Sequence, residues 1–413
     1  MPDILGPGAA QALRHPPFRR YFAATALSSP GSWMQVTAQA WLVLSLDPSP
    51  MALALMTALQ SLPIMLLTLF GGALTDSLPR KRLLIGMQIA GAAQATALAA
   101  LVLLGEPQIW QIYLLALVLG CVNALDGPLR QAVVADLSPR AVLADAVALM
   151  ALTQNLGRVV GPALAGLVIV TMGTGAAFMF NMATFVLGAM IVATLPLGHL
   201  PPAHRMSVLS ATRQGLAFAL GDRPIRLVLI ATAFIGLFGQ NFGTMVPLVA
   251  HGLLQVDADA FGLINAALGA GSLAGIALLV RRGTLTMGRV LLAGCAFGAL
   301  LLAISQAGTL WASCLLFACV GAAAVSFSTA VQTALQMMAP PGMRGRLASM
   351  ATFLIVGTSP IGALLTGAVA QAVSVSAAVA LNGALCVLGV GLAVALGARR
   401  GDRFEPSEAD MRV

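Results

Sequence analysis

Residues 51–82 read MALALMTALQSLPIMLLTLFGGALTDSLPRKR. From 51 to 75 there is no charged side chain, and then Asp76, Arg80, Lys81 and Arg82 follow in quick succession. At about 1.5 Å per residue, a helix of this length crosses the roughly 30 Å hydrocarbon core of a bilayer. The basic cluster marks the point where the chain leaves it. The same alternation, a long apolar run closed by a short charged turn, recurs along the chain.

Composition agrees. Of 413 residues, 59% are hydrophobic and 9% charged, against about 25% charged in a typical soluble domain. Mean hydropathy is +0.93. With 22 basic and 14 acidic residues the chain cannot clothe a soluble monomer of this size. That excludes an ordinary cytosolic enzyme, a disordered chain, a disulfide scaffold and a nucleic-acid-binding domain, despite the net charge of +8. The runs are rich in Leu and Ala and do not alternate polar with apolar residues, which excludes a transmembrane β-barrel. The fold class expected is an all-α integral membrane protein.

Twelve spans are read, at 21–46, 51–75, 84–104, 109–134, 144–171, 174–197, 224–250, 259–280, 287–306, 309–336, 346–371 and 374–397. The longest polar connection, 198–223, divides them six and six. The domains expected are a cytoplasmic N-terminal segment 1–20, a six-helix bundle 21–197, a cytoplasmic linker 198–223, a second six-helix bundle 224–397 and a cytoplasmic tail 398–413. With both termini inside, 20 of the 22 basic residues fall in inside segments, while the outside loops hold Asp47, Glu106, Asp257 and Asp259 and no Lys or Arg. This is the positive-inside pattern. It predicts a multi-pass protein of the bacterial cytoplasmic membrane with both termini cytoplasmic.

The five cysteines lie inside apolar runs without metal-ligand spacing, and the four histidines lie near loops or the start of the chain. No metal and no cofactor are expected. Pro2 to Pro17 is polar and turn-rich, so no cleavable signal is read.

An internal repeat is legible. Gly120–Gly166 aligns with Gly321–Gly367 at a constant offset of 201, pairing Gln131 with Gln332, Pro139 with Pro340 and Gly161 with Gly362. Two such halves in parallel orientation imply two pseudo-symmetric six-helix bundles.

The loop after span two runs Gly72-Ala-Leu-Thr-Asp76-Ser-Leu-Pro79-Arg80-Lys81-Arg82. It resembles the loop 2–3 motif of the major facilitator superfamily, with Pro79 in place of the second glycine. The resemblance implies a cytoplasmic gate of Gly72, Asp76, Arg80, Lys81, Asp136 and Arg346. Asp76 would lie against the helix N-terminus near Arg346, and Arg80 would pair with Asp136. Read without it, the loop is a solvated positive-inside turn.

Span five carries Asn155-Leu-Gly157-Arg158-Val-Val-Gly161-Pro162-Ala-Leu-Ala-Gly166. This resembles the superfamily's antiporter motif, in which Gly157, Gly161, Pro162 and Gly166 would shape a bend and tight packing. Ordinary glycine-rich packing is the plainer reading. In span four, Gly120, Pro128 and Ala132 match the family motif, but position 116 is Ala where the family places an Arg assigned to proton transfer. Trp33-Met-Gln35-Val-Thr-Ala-Gln39-Ala-Trp41 and Asn123-Ala-Leu-Asp126-Gly-Pro128-Leu-Arg130-Gln131 are similar to the branch containing enterobactin exporters and macrolide-efflux proteins.

Three charged residues fall well inside spans, away from the span ends: Asp126, Arg130 and Arg158. Such residues are costly and mark function by default, so they are the proton-coupling candidates. Asp126 and Arg130 are also spaced to neutralise each other on one helix. Arg158 can attract an anionic substrate group or pair with Asp126 across a helix interface. The substrate-cavity candidates are Ser32, Gln35, Gln39, Asn123, Asn155, Gln240, Asn241 and Gln332. Trp33 and Trp41 can stack on a substrate ring or simply pack.

The function expected is a secondary active exporter of small, largely apolar or amphipathic compounds of drug or siderophore type. It would work by alternating access, with proton antiport. Its partners would be a small-molecule substrate, protons or another coupling ion, and the bilayer, with no nucleic acid and a monomeric state. No G-x-x-x-x-G-K-[ST] is present, which argues against ATP as the energy source. The rivals are an importer or uniporter of a small metabolite and a non-transporting membrane receptor or scaffold. An intramembrane enzyme ranks low, because the spans carry no His and no G-x-S-x-G.

Overall fold

The computed structural model describes residues 11–77, 79–105, 107–197, 208–281, 286–340 and 343–397. Every regular element described is helical. Helix α1 (Pro16–Leu46) begins with two prolines, whose missing N–H groups cost nothing in a first turn. It stops at Asp47, in extended conformation before Pro48. Helices α2 (Pro50–Ser77) and α3 (Arg80–Leu104) follow. Then come α4 (Ile109–Leu137), opened by a Gln108–Gln111 capping box, and α5 (Leu143–Met172). Gly173, at φ 82°, ends α5 in a conformation that only glycine adopts readily, and α6 (Thr174–Ala193) starts at once.

The second half runs α7 (Val208–Gly221), α8 (Arg223–Phe234), a π turn (Ile235–Gly239), α9 (Phe242–Leu248) and a second π turn (Val249–Leu253). It continues with α10 (Ala258–Arg281), α11 (Met287–Ile304), α12 (Leu310–Met338) and α13 (Arg344–Thr352). A third π turn (Phe353–Gly357), α14 (Ser359–Ala372) and α15 (Val375–Ala395) complete it. Side-chain oxygens of Asp222, Thr309 and Ser374 cap α8, α12 and α15.

Eight helical spans among the described residues are long and apolar enough to cross a membrane, nine if the bent pair 223–239 and 242–253 is one span. Each segment read from the sequence coincides with a helix or helix pair, with ends shifted by up to five residues. Leu152, Leu156, Val160, Leu164 and Leu167 form an exposed apolar stripe along α5. Water would penalise such a stripe, whereas hydrocarbon does not. The protein is an all-α, multi-pass membrane protein.

Two details go beyond the span reading. Span seven bends by 41° at Gln240 and Asn241. The π turn, the glycines 236 and 239, and Pro247 six residues beyond Asn241 account for the break. Within the 198–223 connection, Val208–Gly221 form helix α7.

The chain forms two compact units. The first comprises Met1–Asp47, Leu62–His204 and Ala258–Ala266, and the second Pro48–Ser61, Arg205–Asp257 and Ala267–Val413. Within the first unit, Gly161 of α5 meets α1: a Cβ there would lie 2.6 Å from the Pro30 carbonyl oxygen and 2.6 Å from Trp33 Cβ. Within the second, its repeat mate Gly362 meets span seven at the Leu237 backbone carbonyl and the Asn241 side-chain amide. Gly166 abuts Ala258 and Asp259, while its mate Gly367 abuts Ala54 and Pro50. The 201-residue repeat is therefore a repeat of helix crossings.

Candidate functional site

Asp126 and Arg130 stand one turn apart on α4, and the Arg130 guanidinium grips the carboxylate with Nη2 and, at 3.2 Å, with Nε. Its Nη1 is buried with no hydrogen-bond partner among the described residues. Phe18, Leu129, Val133 and Ala146, from α1, α4 and α5, are all buried in one apolar cluster in this unit. The pair is thus a half-buried ion pair set in a helix bundle.

Arg158 does not join it. Its guanidinium carbon lies over the Trp33 ring, 5.3 Å from the centroid, within cation–π range. Both side chains are half-buried. The α1–α5 crossing fixes this geometry. Gly157 packs on Ser29 and Gly161 on Pro30 and Trp33, so the two backbones touch where larger residues would hold them apart. The α5 glycines therefore act in crossings, and α5 stays helical through Pro162.

Ser28, Ser32, Gln35 and Gln39 of span one, at spacings of four, three and four, share one helical stripe, and the structure divides it. Gln35 is completely buried (0% exposed). Its Nε2 donates to Gln94 Oε1 at 2.6 Å, and its Oε1 accepts from Asn181 Nδ2 at 2.6 Å. Gln94 donates onward to the Leu115 carbonyl at 3.0 Å. The hydroxyl of Thr184 donates to Asn181 Oδ1 at 3.0 Å. Gln39 is also buried and donates to the Ile112 carbonyl at 3.3 Å. In this conformation both glutamines tie α1 to its neighbours instead of lining a cavity. Trp41 stacks on Phe261 at 6.0 Å, a packing role. Ser32 remains half-buried, donating to the Ser28 carbonyl at 3.1 Å. Asn155 is half-buried and donates to the Ala151 carbonyl at 2.8 Å, and Asn123 is exposed.

In the second unit, Gln240 is half-buried at the helix break and donates to Ser328 Oγ at 3.2 Å. Asn241, 1% exposed, is buried like Gln35, and its side-chain amide donates to the Leu237 carbonyl at 2.6 Å. Gln332 is exposed. The amide of Asn382 donates to Thr366 Oγ1 at 2.9 Å. Asn382 stands at the repeat offset of 201 from Asn181, so each unit buries an amide at the same place.

Among the gate residues, Arg80 Nη1 donates to both oxygens of Asp136, at 2.7 and 2.6 Å. Lys81 Nζ donates to the Leu195 carbonyl at 3.0 Å, tying the start of α3 to the end of α6. Arg346 donates to Gln214 Oε1 of α7 at 2.7 Å. The Asp76 side chain and the packing around Gly72 lie outside what the structure describes.

The sequence reading did not single out Gln94, Asn181 or Asn382. Their signal was present, since Asn181 and Asn382 are each the lone amide of an apolar span and Gln94 shares its span only with Gln88. A lone amide does not say which neighbour it will meet.

Residues 8–410 match the profile of a family described as transmembrane secretion effector. The MFS-type transporter YfiS of Bacillus subtilis is 27% identical over 267 residues, 63% of this chain and 63% of that protein. The chain thus spans under two thirds of that relative's length. The enterobactin exporter EntS of Salmonella choleraesuis is 26% identical over 407 residues, covering 96% of each chain. Among solved structures, the POT family transporter PepTSo superposes with a TM-score of 0.75 at 13% identity, covering 92% of this chain and 97% of that one. That likeness establishes the shared fold.

Proposed function

Because the chain belongs to the transmembrane secretion effector family of the major facilitator superfamily, we propose that it is a secondary active exporter of small, largely apolar or amphipathic compounds. It works by alternating access and is driven by proton antiport. The observation that carries the coupling is the Asp126–Arg130 pair. An intramembrane carboxylate held by a partner on its own helix can exchange that partner for a proton without the two helix ends moving apart. Protonation then releases the Arg130 guanidinium, and the change of charge biases one conformation over the other.

Ser32, Asn123, Asn155, Gln240 and Gln332 supply the neutral polar contacts of the substrate path. The Arg80–Asp136 pair acts in the cytoplasmic gate. The N-terminal and C-terminal six-helix bundles rock as the two halves of the transporter, with both termini in the cytoplasm. The full-length similarity to a protein named as an enterobactin exporter supports the outward direction.

The test is efflux in inverted membrane vesicles under an imposed pH gradient, against a panel of dyes, macrolides and siderophores. At least one compound should be accumulated by the wild type, with collapse on adding a protonophore. Asp126→Asn should abolish gradient-driven accumulation while leaving counterflow exchange. Full proton-driven efflux by that variant would end the coupling reading, and uptake in the opposite direction would end the export reading.

A further inference from the structure

We propose that the cleft between α3 and α4, at the end where the 105–108 connection joins them, holds one acyl chain of a phospholipid with a primary-ammonium headgroup. The inference goes beyond transport, because a lipid site does not depend on which compound or ion the protein moves.

The cleft follows from how the two helices are tied. The short connection 105–108 joins the end of α3 to the start of α4. Deeper in, the Gln94 side chain of α3 donates to the Leu115 carbonyl of α4 at 3.0 Å. Between these two ties α3 presents Ala97 and Ala100, whose methyl groups are too small to fill the gap. Leu101, Leu104 and Leu114 wall a cleft of about 560 Å³, within the range of about 300–1,000 Å³ that holds small ligands.

Three observations name the occupant. The first is the surround. Both helices are long and apolar enough to cross a membrane. Leu104 is 86% exposed and Leu114 53%, so the cleft opens sideways, where a membrane protein meets hydrocarbon. A lipid chain fits that surface, and its burial among leucines and alanines is favourable.

The second is depth. The α3 wall runs from Ala97 to Leu104, the last residue of the helix. At 1.5 Å per residue it reaches about 10 Å inward from the helix end, the depth of the upper part of an acyl chain. Trp110, the second residue of α4 and 61% exposed, also lines the cleft. Indoles favour this headgroup level, and the ring N–H is a donor for an ester or phosphate oxygen.

The third is charge. In the positive-inside pattern the outside loops hold Asp47, Glu106, Asp257 and Asp259 and no Lys or Arg. Glu106 follows Gly105, which lines the cleft. Asp47 acts electrostatically on Tyr113, near the start of α4. An anionic headgroup would meet like charge at this end, whereas an ammonium meets opposite charge. A primary ammonium also brings three N–H donors for carboxylate oxygens, and a choline brings none.

The test uses the full-length protein with Trp33→Phe, Trp41→Phe and Trp311→Phe, which leave Trp110 as its only tryptophan. It is placed in phosphatidylcholine bilayers. Trp110 fluorescence is then titrated with phosphatidylethanolamine, phosphatidylcholine or phosphatidylglycerol brominated on the upper part of the chain, since bromine quenches an indole at close contact. Phosphatidylethanolamine should reach half-quenching at a mole fraction about 2- to 5-fold lower than phosphatidylglycerol, the range of an exposed ion pair, with phosphatidylcholine between them. Ala100→Phe fills the cleft and should leave only the weak, equal quenching of bulk lipid. Ala97→Phe is a second filling variant in case the first disturbs folding, and thermal melts check both. Asp47→Asn combined with Glu106→Gln should keep the quenching and erase the headgroup order.

Equal quenching by the three lipids in the protein without a filling variant would overturn the proposal, since it marks ordinary exchange at a protein surface. So would an Ala100→Phe variant that melts normally and keeps the preference. A Trp110 that no lipid quenches, on a protein that runs as a dimer, would assign the cleft to a second copy of the chain and overturn the proposal too.

Discussion

Asn181 and Gln35 are 146 positions apart in sequence and are joined by a 2.6 Å hydrogen bond deep in the first unit. The same glutamine donates to Gln94 at 2.6 Å, so one side chain ties three helices together. In hydrocarbon such bonds contribute about 0.6 kcal/mol each on average, rising to about 1.7.

Gln35→Leu removes both bonds and leaves the Gln94 and Asn181 amides short of a partner. The expected cost is about 1–3 kcal/mol. It should appear as a thermal melt lowered by several degrees in detergent, with the substrate profile of any residual efflux unchanged. A changed profile at unchanged stability would return Gln35 to the substrate path.

The repeat-related amides should not be equivalent. Asn181 bonds to Gln35 and accepts from Thr184, whereas Asn382 bonds to Thr366. Asn181→Val should therefore destabilise more than Asn382→Val, by about 1 kcal/mol or so. Parallel thermal melts of the two variants check this.

Glycine-to-alanine changes should separate sharply by position. A Cβ at Gly161 would lie 2.6 Å from the Pro30 oxygen, and one at Gly362 would meet the Leu237 carbonyl, whereas one at Gly127 or Gly86 meets nothing within 4 Å. Gly161→Ala and Gly362→Ala should each cost about 1–3 kcal/mol through overpacking. Gly86→Ala and Gly127→Ala should be neutral or slightly stabilising, since alanine is the better helix former. Monodispersity on size-exclusion chromatography and thermal melts give the readout.

Arg80 and Asp136 form a two-pronged pair with side chains 17% and 15% exposed. A double-mutant cycle with Arg80→Ala and Asp136→Ala should give a coupling of about 1 kcal/mol. If the pair serves in a gate, both single variants should also raise cysteine labelling from the cytoplasmic side, and the charge swap Arg80→Asp with Asp136→Arg should restore the wild-type level.

What the amino-acid order determined by itself was the count and rough extent of the apolar runs, the repeat and the set of charges left inside them. A bilayer demands a long uncharged stretch and punishes each buried charge, so both features are written locally in composition. The i,i+4 grip of Arg130 on Asp126 was local too, and the resemblance to a known loop motif supplied the long-range partner for Arg80. Tertiary structure decided which polar face looks where. Gln35 and Ser32 share one helical stripe in the sequence, yet one is locked between three helices and the other stays half-buried. Periodicity records a face but not the neighbour that will cover it. In the same way, only packing brought Arg158 to the Trp33 ring rather than to Asp126. The reason is the close approach at Gly157 and Gly161, which fixes α5 against α1 and so chooses the partner of a charge that the sequence could only place at mid-span.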